Sequence, residues 1–263
     1  MTGAGAAAGP LRVWRERDGR LLRMRLARPK ANVIDSAMVA ALTEAFASLA
    51  DPAAPAPRAV LLDAEGPHFS FGASVEEHLP GKEAAMLRGI HALVLAILDA
   101  PLPVLVAIRG QCLGGGLEVA TAGHLLFAAP DARMGQPEIL LGVFAPAASC
   151  LLPERIGLSH ADDLLLSGRS VDGREALRIG LVNALAEDPE AAALAWFDEH
   201  ASHRSAAALR FAARAARQDV VERVRTKLAS LERLYLEGLM STHDAVEGLT
   251  AFLEKRPARW EDR

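Results

Sequence analysis

The sequence predicts an α/β fold with a helical last third. Three observations carry that reading. Short apolar runs alternate with helix-like segments through the first part of the chain. Past about residue 155 the strand signals fade and helical periodicity takes over. Gly, Pro and Asp punctuate the boundaries between runs.

The elements follow in order. Residues 11–26, "LRVWRERDGRLLRMRL", alternate on both sides of Asp18-Gly19, a hairpin signal. A helical pattern covers 36–50, with Ser36 as N-cap. Pro52, Pro55 and Pro57 mark a loop, and "RAVLLDA" (58–64) reads as a buried strand. Residues 65–80 read as loop. A helix then covers about 83–99, and "PVLVAIRG" is a second buried strand. The apolar run 90–108 is long enough to span a bilayer. Asp99, Pro101 and Pro103 interrupt it, so a helix followed by a strand explains it better. After Gly114–Gly116 a helix runs to about Ala122, and "HLLFAAP" (124–130) is a strand. Segments 159–168, 172–180 and most of 190–255 read as helices. Val220, Val224, Leu228, Leu231, Leu234 and Tyr235 recur at helical spacing, a stripe for packing or a subunit interface.

Composition narrows the function classes. A chain of 263 residues, half hydrophobic and a quarter charged, suits one large globular domain or a domain with an appendage. The net charge of −4 gives no electrostatic case for nucleic acid. Only Cys112 and Cys150 are present, and they imply no disulfide framework. The opening "MTGAGAAAGP" reads as a flexible tail rather than a signal peptide, and a cytoplasmic protein is expected.

The segment "GQCLGGGLEVA" (110–120) carries the chemistry. Its glycines follow a strand and open a helix, where free N–H groups and the dipole favour an anion. Neither GxGxxG nor GxxxxGK[ST] fits, so an oxyanion that develops during reaction is the better guest. A tight turn with no ligand would look the same. Glu118 in the first turn is ordinary dipole chemistry taken alone. Glu138, however, also sits among apolar residues, in "GQPEILLGVFAPAAS". Two such carboxylates suggest paired acid–base work on a carbonyl substrate. "HFSFGAS" (68–74) follows a strand and can offer a second backbone donor. No HExxH, His/Cys cluster or GxSxG elbow occurs, so neither a metal nor a serine nucleophile is expected.

These motifs resemble the crotonase, or enoyl-CoA hydratase/isomerase, family from about Leu11 to Arg263. The resemblance rests on "RPKA", "FSFGAS", "VAIRGQCLGGGLEVATAGHLLFAAPDARMGQPEILLGV", "LLLSGRSVDGREALRIGLVN" and "EGLTAFLEKRPARW". It implies an α/β spiral of ββα units with a C-terminal helical trimerisation region. On that pattern, 1–10 is a tail, 11–200 the acyl-CoA-binding core and 201–263 the oligomerisation region. It implies an acyl-CoA thioester substrate with no metal or other cofactor, and a homotrimer or dimer of trimers. It matches the backbone oxyanion donors to Ala73 and Gly115, and the two hydratase glutamates to Glu118 and Glu138. It places Lys30, Ala31, Phe71, Gly72, Ser74, Gly114, Phe144, Pro146, Phe252 and Lys255 along the substrate and CoA path.

Two departures stand out. Ser74 replaces a common Asp, and "APAAS" (145–149) replaces a glycine-rich stretch, so Pro146 offers no N–H to a catalytic water. With "GPHFSFGASVEEHLP", this is similar to family members that hydrate a cyclic diene-carbonyl thioester in anaerobic benzoyl-CoA degradation. Linear 2-enoyl thioesters, and a non-catalytic CoA-binding scaffold, are the alternatives.

Overall fold

The computed structural model describes residues 9–50 and 56–263. Residues 1–8 of the expected tail, and the prolines at 52 and 55, fall outside the described residues. The strands β1 (Leu11–Glu16) and β2 (Leu21–Leu26) form the expected antiparallel hairpin, Glu16 opposite Leu21. Arg17 and Asp18 both take left-handed backbone angles in its turn (φ 55 each).

Helix α1 (Ser36–Ala47) follows. Its cap is Asp35, not Ser36: the Asp35 carboxylate accepts from Met38 N at 2.9 Å. A carboxylate is the stronger acceptor at a helix start. Ser36 is instead engaged by Glu77, which accepts from its hydroxyl at 2.9 Å.

β3 (Ala59–Ala64), α2 (Glu83–Leu98) and β4 (Val104–Ile108) lie where the apolar runs place them. β5 (Gln111–Leu113) and α3 (Gly115–Ala122) follow. Then come β6 (Leu125–Ala128), β7 (Arg133–Gly135) and α4 (Pro146–Ser167), which breaks at Gly157. β8 (Ser170–Asp172), α5 (Gly173–Arg178), β9 (Ala184–Leu185) and α6 (Pro189–Trp196) lead into the helical end. That end is α7 (Ala206–Arg233) and α8 (His243–Leu253). No helix among the described residues is long and apolar enough to cross a membrane.

Six strands form one sheet in the order β1-β2-β3-β4-β6-β9, parallel except for the β1–β2 hairpin. Both faces are covered, which explains why β3 and β4 read as unbroken apolar runs. One face packs Val60, Leu62, Val104 and Val106 with the apolar sides of α1, α2 and α3. The other packs Leu61, Leu105 and Phe127 against Ala193 of α6 and Phe197. β5, β7 and β8 form a second, smaller sheet. These three-residue strands are too short to show a period in sequence, and the reading above missed them.

The predicted helical stripe is only partly buried. Val224, Leu228 and Tyr235 are inside, whereas Leu234 is 57% exposed. The helix widens there into a π-turn, Leu234–Gly238, and the extra residue shifts the phase.

The sheet also carries a buried ion cluster. Arg23, 2% exposed, pairs with Asp63, and Glu190 Oε1 lies 2.6 Å from its guanidinium. Arg25 reaches both acids as well, at 2.6 Å and 2.7 Å. Trp14 stacks over Arg23 with its ring centroid 4.9 Å away. Asp63→Ala leaves a buried guanidinium short of its nearest partner. It should destabilise the fold by about 3 kcal/mol in urea denaturation.

Candidate active site

Three glycines stand in a row because three different neighbours press on them. Gly114 has φ 49, and a Cβ there would lie 2.5 Å from Glu138 Oε1. A Cβ on Gly115 would lie 3.2 Å from Ala73 N, and one on Gly116 would lie 2.5 Å from Ser70 Cβ. The bare backbone therefore lets α3 start directly against the 70–74 segment. That segment is fixed in turn: Ile34 N donates to Gly72 O at 2.9 Å, and Gly72 N donates to Ser70 Oγ at 3.1 Å.

This packing sets the Ala73 and Gly115 backbones side by side. Among the described residues, neither N–H donates to a protein acceptor. Gly115 is the first residue of α3, so the helix dipole adds to its donor.

Glu118 lies one turn into α3 and is 5% exposed. Its Oε1 accepts from Ala148 N at 2.8 Å, at the start of α4. Burial pushes its pKa up, and the Ala148 and Ala147 N–H groups pull partly back. Glu138 sits in the short 3-10 turn Pro137–Leu141 after β7. Gln136 is buried beside it, and its amide, turned to satisfy both ends, donates to Glu138 Oε2 at 3.0 Å and Oε1 at 3.2 Å. Burial first, then the Glu118 charge, raises the Glu138 pKa. The Glu118 charge therefore favours the protonated form of Glu138.

Ala73, Gly115, Glu118, Glu138, Phe144 and Pro146 all line one narrow pocket. Pro146 is the first residue of α4, a position where a missing N–H is tolerated. Gly72 and Gly114 lie close together, a Cβ on Gly72 falling 3.7 Å from Gly114 Cα, but neither lines the pocket. Ser74 caps the turn Val75–His78, and its carbonyl lies 2.7 Å from His78 Nδ1. Lys30, Ala31 and Phe71 form a neighbouring surface: Phe71 N donates to Ala31 O at 2.9 Å, and Phe71 is 46% exposed. Phe252 and Lys255 lie at the far end of α8, exposed, and do not line the pocket.

The sequence reading missed His91 and Tyr235, which do line it. A lone histidine on the apolar face of α2, and the chain's single tyrosine, were the available signals.

The raised carboxyls have a consequence for stability. A carboxyl whose pKa is higher folded than unfolded favours folding below its ordinary 4.5. That contribution is lost as pH climbs through the folded value. Glu138→Gln removes one ionisation and should raise the melting temperature at about pH 9 by about 3 °C or more. Near about pH 5 the two proteins should melt together. A calorimetric scan at both pH values checks this.

Comparison with known proteins agrees with the geometry. The family model described as enoyl-CoA hydratase/isomerase matches residues 16–263. A relative from Thauera aromatica, named cyclohexa-1,5-dienecarbonyl-CoA hydratase, is 68% identical over 98% of this chain and 99% of its own length. A probable enoyl-CoA hydratase of Bacillus subtilis is 36% identical over 76% of this chain and 80% of its own. A crystal structure of an enoyl-CoA hydratase/isomerase from Pseudoalteromonas atlantica superposes with a TM-score of 0.83 at 28% identity. It covers 95% of this chain and 99% of that one. By sequence and by fold, the chain belongs to the enoyl-CoA hydratase/isomerase family.

Proposed function

We propose that this protein is a hydro-lyase that adds water to cyclohexa-1,5-diene-1-carbonyl-CoA, giving 6-hydroxycyclohex-1-ene-1-carbonyl-CoA. One observation carries the chemistry. A buried glutamate, Glu118, and a half-buried one, Glu138, share a pocket with two backbone N–H groups that have no protein acceptor. The 68% identity to a hydratase of that name supports the substrate.

The thioester oxygen takes hydrogen bonds from Ala73 and Gly115. Glu118, whose ionised form is favoured by the α4 N–H groups, takes a proton from water. The water oxygen bonds to the β-carbon of the ring, and charge moves to the thioester oxygen facing the two donors. Glu138, whose pKa is raised and which therefore starts protonated, then protonates the far end of the second double bond. The pair holds one proton before and after, so no cofactor is called on.

The exposed Lys30, with Ala31 and Phe71, forms the surface where the CoA moiety lies, and Phe252 and Lys255 close over it. The 201–263 region joins subunits into a trimer or a dimer of trimers. Phe211, 74% exposed on α7, supports this. The two cysteines, both free and buried, suit a cytoplasmic protein.

A second reading, hydration of linear 2-enoyl thioesters, is favoured by the Bacillus relative's name. Side-by-side assays with the cyclic dienoyl thioester and crotonyl-CoA separate the two, and the cyclic substrate should give the higher kcat/KM. Glu118→Gln and Glu138→Gln should each lower kcat by about a thousandfold. Thioester binding measured by calorimetry should persist. Near-normal turnover in both variants would rule out the paired-glutamate mechanism.

A further inference from the structure

Two polar atoms in the pocket have no hydrogen-bond partner, His91 Nε2 and the Tyr235 hydroxyl. Their side chains are deeply buried, His91 at 4% and Tyr235 at 1% exposure. A buried polar atom without a partner destabilises a fold, and native proteins keep few of them without a use.

Their chemistry is complementary. His91 Nδ1 lies 2.7 Å from Glu232 Oε2 on α7. A carboxylate can only accept, so Nδ1 carries the proton and Nε2 presents a lone pair. Burial holds the imidazole neutral, although Glu232 opposes that shift. Tyr235 sits in the π-turn, with its ring edge-on to Phe144 at 5.3 Å. Burial and the charges of Glu138 and Glu118 keep its proton in place. One unused acceptor and one unused donor therefore belong to residues that line the same pocket as the two glutamates.

The backbone at the start of α4 is otherwise engaged. Pro146 has no N–H, and Ala148 N is taken by Glu118. The pocket's cavity, about 20 Å³, has about the room of one water molecule.

We propose that His91 and Tyr235 hold the water that adds to the substrate. The water donates one O–H to His91 Nε2 and accepts from the Tyr235 hydroxyl. Its other O–H points to Glu118, which takes that proton. The remaining lone pair forms the bond to the ring carbon. The water hydrogen donated to Nε2 stays with the oxygen and becomes the product's hydroxyl hydrogen.

This rests on the hydratase reading, and the test keeps the two apart. Wild type is first assayed for addition of water to the cyclic dienoyl thioester by mass. No addition would remove the functional reading itself. Given wild-type turnover, Tyr235→Phe deletes one oxygen and keeps the ring against Phe144. It should melt no lower than wild type, because the hydroxyl has no partner to lose. Its kcat should fall about 10- to 100-fold with KM within about threefold. His91→Phe should show the same split, and the double variant should be no slower than the slower single, since one water is involved. Glu232→Gln can still accept from Nδ1 and should keep most of the activity. A kcat within about twofold of wild type in both single variants, or losses confined to KM or to melting temperature, would overturn the proposal.

Discussion

The pocket depends on a short helix placed entirely inside the protein. All eight residues of α3 are buried. A buried helix must satisfy its ends, because four N–H and four C=O groups have no partner within it. α3 solves this differently at each end. At its tail, Arg155 donates to Gly123 O at 2.7 Å, and Arg217 donates to Ala122 O at 2.6 Å and also to Gly123 O. Burial pushes the pKa of each arginine down to about 10, yet both remain cations at neutral pH, matched to the negative end of the dipole. At its head, the Gly115 donor is left open to the pocket. The cost of burial is met at one end so that the other can stay reactive.

That arrangement also explains why the helical last third is part of the site. α7 supplies Arg217 to the tail of α3 and Glu232 to His91, and the π-turn after it supplies Tyr235 to the pocket wall. A single long helix thus holds the tail of α3 and, through Glu232, one wall of the pocket. The six-stranded sheet sets its direction, since β4 and β6 flank it in sequence and pair in parallel.

Much of this was legible in the sequence, and the reason is local punctuation. Asp18-Gly19 marks a turn, Asp99 and the prolines stop α2, and three glycines after a strand mark a helix start. Glu118 and Glu138 were visible because charge among apolar residues is anomalous on its face. His91 and Tyr235 escaped for the opposite reason: on an apolar helical stripe they look like core, and only the three-dimensional structure shows their polar atoms unpartnered. β5, β7 and β8 escaped because three residues cannot display a period. Asp35 took the cap from Ser36 because two adjacent candidates differ in acceptor strength, which spacing does not reveal.

Two helix N-termini face the pocket, and they are not equivalent. The start of α4 is already neutralised by Glu118, whereas the start of α3 keeps its donor free. For inhibitor chemistry this asymmetry dictates polarity. A stable mimic of the enolate should place its negative oxygen at Gly115 and a neutral, hydrogen-bonding group toward α4. A molecule carrying an anion at both ends would meet a carboxylate at the second, and repulsion would make it the poorer ligand despite its greater resemblance to a charged intermediate.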